Sequence, residues 1–578
     1  MDMPKADVAS FMSEADLDKS GSLSFGEFLN LMDRAKNGGN FSGKGSELVK
    51  TLQKGVDTVK VKGDFGGNHS YTEEEKQFYG AFINNALRDD PDCAHLLPIN
   101  LEGNDLFEAV SDGILPCKLI NVAAAGTIDP RVINKKKNMM VHHKTENQTL
   151  AINSARSIGC QIVGISAMDV IDGINQPHLV LSFLWQLVKV AVLSHISLKE
   201  HPFLVRLLEG DETVEAFMKL APEKILLRWM NFLLNETECK KRVKNFSSDI
   251  KDSVAYTYLL HRMVPAKCDT SAVSLDDMDA RASKVISNSC GIGIPKLMSA
   301  GDISSGNGKL NLMFVAELFN TYPCLEPLTE EEALEISETD MLDFAEGTRE
   351  ERVFRLWINT LEIPEVFVTD LYEDVKSGYM LLRVIDSVFP GNVDLKKANK
   401  TPGTVFKRLE NCGMVCEASR KVGLKLVGVE GKDIEAGTPK FVLSLCWQLW
   451  RSHIGNMLAQ VTGTGKRPDE KEILAWANGK VKAAGYDSQI KDFKDKSIAT
   501  GQYLVQLLAA VKKSAVDFDV IAAGSTEEEQ KSNSEYIVSV ARKIGCVIFN
   551  VPDDIVEVRP KMLMVLVSMI MLVDLQGA

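Results

Sequence analysis

Apolar positions recur along this chain at helical spacing, and their arrangement repeats four times. Each repeat opens with an amphipathic stretch carrying an aromatic residue two positions before an Asn: Phe82 and Asn84, Trp229 and Asn231, Trp357 and Asn359, Trp476 and Asn478. A second apolar segment follows, GILPCKLIN (113–121), VAYTYLLHRM (254–263), GYMLLRVIDSVF (378–389) and GQYLVQLLAAV (501–511). A third helical stretch ends near Gly159, Gly291, Gly423 and Gly545. Nine to eleven residues further on stands an Asp before an apolar stretch: Asp169, Asp302, Asp433 and Asp554. The pattern predicts these to be helix N-caps, because a carboxylate there accepts an orphan backbone N–H. Each repeat then closes with an almost uninterrupted apolar segment, at 178–193, 309–319, 440–450 and 561–573. A helix apolar on all sides must lie inside its domain, so each unit of about 110 residues is expected to fold around a central closing helix. Strand alternation is nearly absent, and the fold class expected is all-α.

Composition narrows the function more than the fold. The 578 residues exceed what one core can organise, and the 45% apolar and 25% charged content is that of a soluble globular chain. The longest apolar run, Met562–Val573, has twelve residues, short of the roughly 20 a membrane-spanning helix needs. A formal charge of −13 argues against nucleic acid or an anionic membrane as a partner, so binding to an acidic polymer must use local basic or apolar patches. Eleven cysteines lie singly without a CxxC pair and are expected to be free thiols. Gly38–Lys44 (GGNFSGK) approaches a phosphate-binding loop, but Gly45 stands where Ser or Thr is needed and no strand precedes it. Gly291 and Gly293 begin like a dinucleotide motif that Pro295 interrupts. Catalysis is not expected.

One motif carries metal chemistry. Asp16, Asp18 and Ser20 fall at positions 1, 3 and 5 of a twelve-residue calcium loop, with Gly21 at the sharp turn. Ser22 offers its carbonyl, Ser24 acts through water, and Glu27 closes the site with two oxygens, so Ca2+ is the expected ligand. Three carboxylates make this a weak donor set. Downstream, residues 46–60 (SELVKTLQKGVDTVK) place Leu48, Val49, Leu52 and Val56 on one side of a basic amphipathic helix. Such a helix suits a groove opened by calcium, and residues 46–60 are expected to act as a switch.

The four repeats resemble calponin-homology domains, and four of them behind a calcium loop resemble the fimbrin/plastin family. The segments that carry the resemblance are YTEEEKQF (71–78), PHLVLSFLWQL (177–187), NFSSDIKDS (245–253), GTREERVFRLWIN (347–359), QIKDFKDKSI (489–498) and VEVRPKM (556–562). It implies a monomeric cytoplasmic protein of the actin cytoskeleton that binds and bundles filamentous actin through two paired units. A calcium-sensing adaptor for other partners is the alternative, but it has no need of two equal sites. The family usually carries two calcium loops; this chain shows one.

The organisation expected is a calcium-loop region (1–36), a linker (37–70), and domains at 71–200, 215–325, 347–458 and 467–578. An acidic connector spans 326–346, within a stretch, Glu326–Glu350, that holds ten acidic residues. By resemblance, the filament face uses 75–87, 162–193 and 222–236, which nominates Lys76, Lys189, Lys224 and Arg228. Comparable places in the second pair hold Arg352, Arg355, Arg451 and Lys471. The basic run Lys135–Lys137 is a further candidate. Gly173–His178 carries two extra residues beside this face. Trp185 and Trp447, on apolar closing helices, are expected in the core.

Overall fold

The computed structural model describes residues 58–62, 68–136, 138–198, 200–218, 220–329 and 340–577. An antiparallel hairpin, β1 (Thr58–Lys62) and β2 (Asn68–Thr72), sets Thr58 opposite Thr72 and Lys62 opposite Asn68. The end of the helix expected over 46–60 is therefore a strand. TVKVK alternates β-branched residues with Lys and satisfies a two-residue period as well as a helical one. The rest of that helix, with Leu48, Val49, Leu52 and Val56, lies outside the described residues, as does the whole loop from Asp16 to Glu27.

Beyond the hairpin the described residues form four helical domains, each with five helices at equivalent places and shorter helical turns between them. The first holds α1 (Glu73–Ala86), α2 (Ile114–Ala123), α3 (Val141–Ser157), α4 (Ala167–Ile171) and α5 (Pro177–Leu193). The second holds α6 (Pro222–Asn235), α7 (Val254–Met263), α8 (Met278–Gly291), α9 (Ala300–Ser305) and α10 (Gly308–Thr321). The third holds α11 (Asp340–Thr360), α12 (Tyr379–Val388), α13 (Val405–Lys421), α14 (Gly431–Glu435) and α15 (Pro439–Val461). The fourth holds α16 (Glu470–Ala483), α17 (Gln502–Val511), α18 (Glu527–Lys543), α19 (Pro552–Val556) and α20 (Pro560–Leu575). Helix α11 starts at Asp340, so the last part of the acidic connector is its first two turns.

The repeated Asn has one duty in common in all four domains. Its side-chain amide grips one residue of the loop after the first helix at both backbone poles. Asn84 donates to the Ile99 carbonyl at 2.9 Å and accepts from the Ile99 N–H at 2.7 Å. Asn231 holds Val243, Asn359 holds Val368 and Asn478 holds Ile490 in the same way. A loop peptide shielded from water needs both bonds, since an unmade one costs about 1–3 kcal/mol.

The four Asp residues differ from expectation by one half-motif. The N-cap is the residue three before each Asp, and the carboxylate reaches back to that residue's N–H: Ser166 to Asp169 at 2.7 Å, Ser299 to Asp302 at 2.9 Å, Glu430 to Asp433 at 2.8 Å, Val551 to Asp554 at 3.0 Å. This is the reciprocal arm of a capping box. In the second domain the left-handed glycine after the third helix is Gly293, φ +97°, and Gly291 is the last residue of α8. The closing helices α5, α10, α15 and α20 run through their domains as expected, and Pro177, Pro439 and Pro560 occupy first-turn positions where a missing N–H costs nothing. All eleven cysteines are free thiols. Among the described residues no helix is long and apolar enough to cross a membrane.

Candidate binding surfaces and the pairing of domains

One contact between the first and second domains is made by a side chain from α10. Lys309 lies 3.3 Å from Glu75 on α1, and its ammonium sits over the Trp185 ring of α5 at 5.7 Å. The third and fourth domains repeat the contact in register: Lys561 on α20 lies 3.9 Å from Glu350 on α11 and 5.3 Å from the Trp447 ring centroid. Trp185 and Trp447 are half-buried rather than core, because their outer faces serve as platforms for these lysines. Lys189 adds a 2.6 Å ion pair to Glu223 across the first pair, and Arg349 reaches Asp553, Asp554 and Glu557 across the second. Burial above all pushes the Asp554 carboxyl up to about 6.

The nominated cations divide into two groups. Lys224, Arg451 and Lys471 are exposed. The others are occupied within the molecule. Lys76 is buried, donating to the Gly103 carbonyl at 2.9 Å and pairing with Glu73. Lys189 is spent on the interdomain pair. Arg228 is bound to Glu212 at 2.5 Å, which holds its guanidinium above the ordinary value. Arg352 donates to the Ser157 carbonyl of the first domain at 2.9 Å, and Arg355 pairs with Glu351 at 3.3 Å. Lys135 is tied to Asp92 at 2.7 Å, and Lys136 faces His143. A lysine reads alike in sequence whether it faces solvent or an acid brought in from another element; only the i,i+3 and i,i+4 pairs of Lys76 with Glu73 and Arg355 with Glu351 have a local signal.

Exposed apolar side chains, missed from sequence, repeat on the leading domain of each pair. Val141 and Val405 open α3 and α13, and both are exposed, with Phe406 beside the latter 81% accessible, though Met278, which opens α8 of a trailing domain, is exposed as well. Four residues past the left-handed Gly159 and Gly423 stand Val163 and Val427, exposed to 60% and 86%. At that place in the trailing domains Leu297 is half-buried and Phe549 is buried. A single exposed valine is ordinary; the same one on both leading domains and neither trailing domain indicates a surface kept open. The signal in sequence is Val at a fixed offset from the helix-ending glycine. The two extra residues near Gly173 lengthen the turn between α4 and α5 to five residues, 172–176, against three, 436–438, between α14 and α15. Asp172 closes that turn by accepting from Asn175 and Gln176. No group of three His, Cys, Asp or Glu suited to a metal occurs among the described residues.

The pairs also meet each other. Helix α18 lies against α3, joining the fourth domain to the first. Lys543, nearly buried, donates to the Val132 carbonyl at 2.8 Å and lies 3.6 Å from Glu146, which Lys512 approaches at 3.4 Å. Arg131 of the first domain reaches the Val520 and Ser532 carbonyls and covers the Tyr536 ring at 5.5 Å.

Comparison with known proteins agrees with this architecture. Calponin homology (CH) domain models match residues 73–192, 220–324, 348–455 and 467–575. Fimbrin of Dictyostelium discoideum is 40% identical over 98% of this chain and 92% of its own length, and plastin-3 of Rattus norvegicus is 38% identical over 98% and 90%. The solved actin-crosslinking core of Schizosaccharomyces pombe fimbrin superposes with a TM-score of 0.74 at 35% identity, covering 87% of this chain and all of that one. Four calponin-homology domains in two equivalently clasped pairs, matched along nearly the whole length, make this chain a member of the fimbrin/plastin family.

Proposed function

We propose that this chain is a non-catalytic cross-linker of actin filaments, acting as a monomer on the cytoplasmic actin cytoskeleton and using one filament-binding surface per domain pair. The observation that carries the reading is the duplication itself. Both pairs are closed by the same Lys–Glu–Trp contact, and both leading domains keep the same valine exposed. A single-site binder or adaptor needs one such surface; two on one body join two polymers and raise the effective concentration of the second contact. Lys224, Arg451 and Lys471 are the nominated cations free to meet an acidic filament. Low-speed co-sedimentation with filamentous actin tests the reading. Intact protein is expected to pellet bundles, whereas a chain that pellets filaments only at high speed has one site and refutes it. Val427→Ser is expected to weaken bundling severalfold while leaving single-filament binding through the first pair.

We further propose that Ca2+ bound by Asp16, Asp18, Ser20, Ser22, Ser24 and Glu27 modulates bundling. The support is the donor set: three carboxylates and serine oxygens at the right intervals, too few charges for tight binding. A calcium titration monitored by calorimetry, with Glu27→Gln as control, decides it. Heat that survives the substitution, or no heat at all, disproves this assignment.

A further inference from the structure

A cavity of about 420 Å³ opens beside the Lys561 contact, between the third and fourth domains. Its size falls in the range of small-molecule sites, about 300–1,000 Å³. Trp447, half-buried, and the more deeply set Trp450 and Phe354 give it aromatic wall from α15 and α11, and Met562 adds apolar surface from α20. The rings meet edge to face, Trp447 on Trp450 at 6.0 Å and Phe354 on Trp450 at 5.9 Å. Packed this way, the aromatic corner is fixed before any ligand arrives.

The charged part of the wall narrows the ligand. Four cations line the cavity: Arg349, Lys494, Arg559 and Lys561. Arg349 is engaged by Asp553, Asp554 and Glu557, Arg559 by Glu557, and Lys561 by Glu350. Lys494 is exposed in the loop before α17, and among the described residues its ammonium has no carboxylate within ion-pair distance. The cavity thus offers aromatic surface and one uncommitted positive charge, while Glu350 and Asp554 on the same wall disfavour a polyanion. The first pair lacks these features. Counted from the clasp Glu and Lys, the ring and the gripped loop residue, its positions for Arg349, Lys494 and Arg559 hold Glu74, Ser247 and Asn307, and Val188 takes the place of Trp450.

We propose that the junction of the third and fourth domains binds one small planar aromatic monoanion, its ring against Trp447 and its charge at Lys494, and that the first pair has no counterpart. Bound there, the ligand touches α11, α15 and α20 together and favours the closed second pair by mass action. Fluorescence titration of the full chain with 1-anilinonaphthalene-8-sulfonate tests this, with uncharged N-phenyl-1-naphthylamine as the comparison probe. The sulfonate is expected to bind saturably at one site per chain and to quench tryptophan emission. Lys494→Glu, at an exposed position, is expected to weaken the sulfonate about tenfold, since loss of one exposed pair and its replacement by repulsion count about threefold each. The same variant should leave the uncharged probe unchanged. No saturable binding, more than one equivalent site, unquenched tryptophan emission, sulfonate affinity unchanged by Lys494→Glu, or both probes weakened alike would each overturn the assignment.

Discussion

At the scale of single residues, sister domains act as controls on one another. The second helix of three domains is preceded by a glycine with positive φ, Gly113, Gly378 and Gly501, where an added Cβ would fall within 3.0 Å of Asn147, Asn411 or Asn533. In the second domain Lys284 stands in place of that Asn by position in its helix, and Ser253 takes the glycine's place at φ +60° with its hydroxyl buried and unpartnered. Val558 likewise sits at φ +51° where Gly306 and Gly437 stand in the second and third domains. A left-handed non-glycine residue costs about 1–2 kcal/mol, so Ser253→Gly and Val558→Gly are each expected to stabilise by about 1 kcal/mol in urea unfolding. Asn359→Ala should do the reverse, costing about 2–3 kcal/mol because both poles of Val368 lose their partner. Asp554 carries a pH signature. Its native carboxyl, raised from 3.8 to about 6, holds a proton that the unfolded chain has already released, so stability falls as pH rises between those values. Asp554→Asn keeps the acceptor for Val551 and should remove a decline on the order of 3 kcal/mol; identical pH profiles for the two proteins would show the carboxyl to be unperturbed.

At the scale of helices, the Lys309 and Lys561 contacts decide how each pair is held. Each combines an ion pair with a ring contact, together about 1 kcal/mol at a partly exposed site. Lys309→Ala should therefore speed hydrogen exchange in α5 and α10 and leave α15 and α20 unchanged, and Lys561→Ala should do the converse. Exchange rising equally in all four helices would mean that the contacts are not local to their pairs. The closing helices and the positions of the Asn and Asp markers were legible in sequence because each is fixed by a period or an offset. The capping role was misassigned because Asp is favourable both as N-cap and three residues inside a helix, and only hydrogen-bond direction separates the two.

At the scale of the whole molecule, the seam between α3 and α18 closes the chain on itself. Glu146 and Lys543 are both nearly buried there, and removing one charge leaves the other uncompensated, at about 3 kcal/mol. Glu146→Gln preserves the bond from Asn134 yet should loosen the seam, seen as a larger radius of gyration in solution scattering and as separate melting of the two pairs. A single melting step with unchanged dimensions would show that the other seam contacts suffice.

The sequence by itself determined the four helical units, their order, their central helices and the family, since periodicity and fixed offsets are local properties of the chain. It also nominated cations for a filament surface, and there it reached its limit. Lys76, Lys189, Arg228, Arg352 and Arg355 are engaged within the protein, while Lys224, Arg451 and Lys471 are exposed among the described residues. The tertiary structure decided most of these, because Lys76, Lys189, Arg228 and Arg352 meet groups that packing brings from other elements, which no local pattern encodes, whereas Arg355 pairs with Glu351 four residues away on its own helix. Packing likewise brings Arg352 and Arg542, 190 positions apart in the chain, to one cavity.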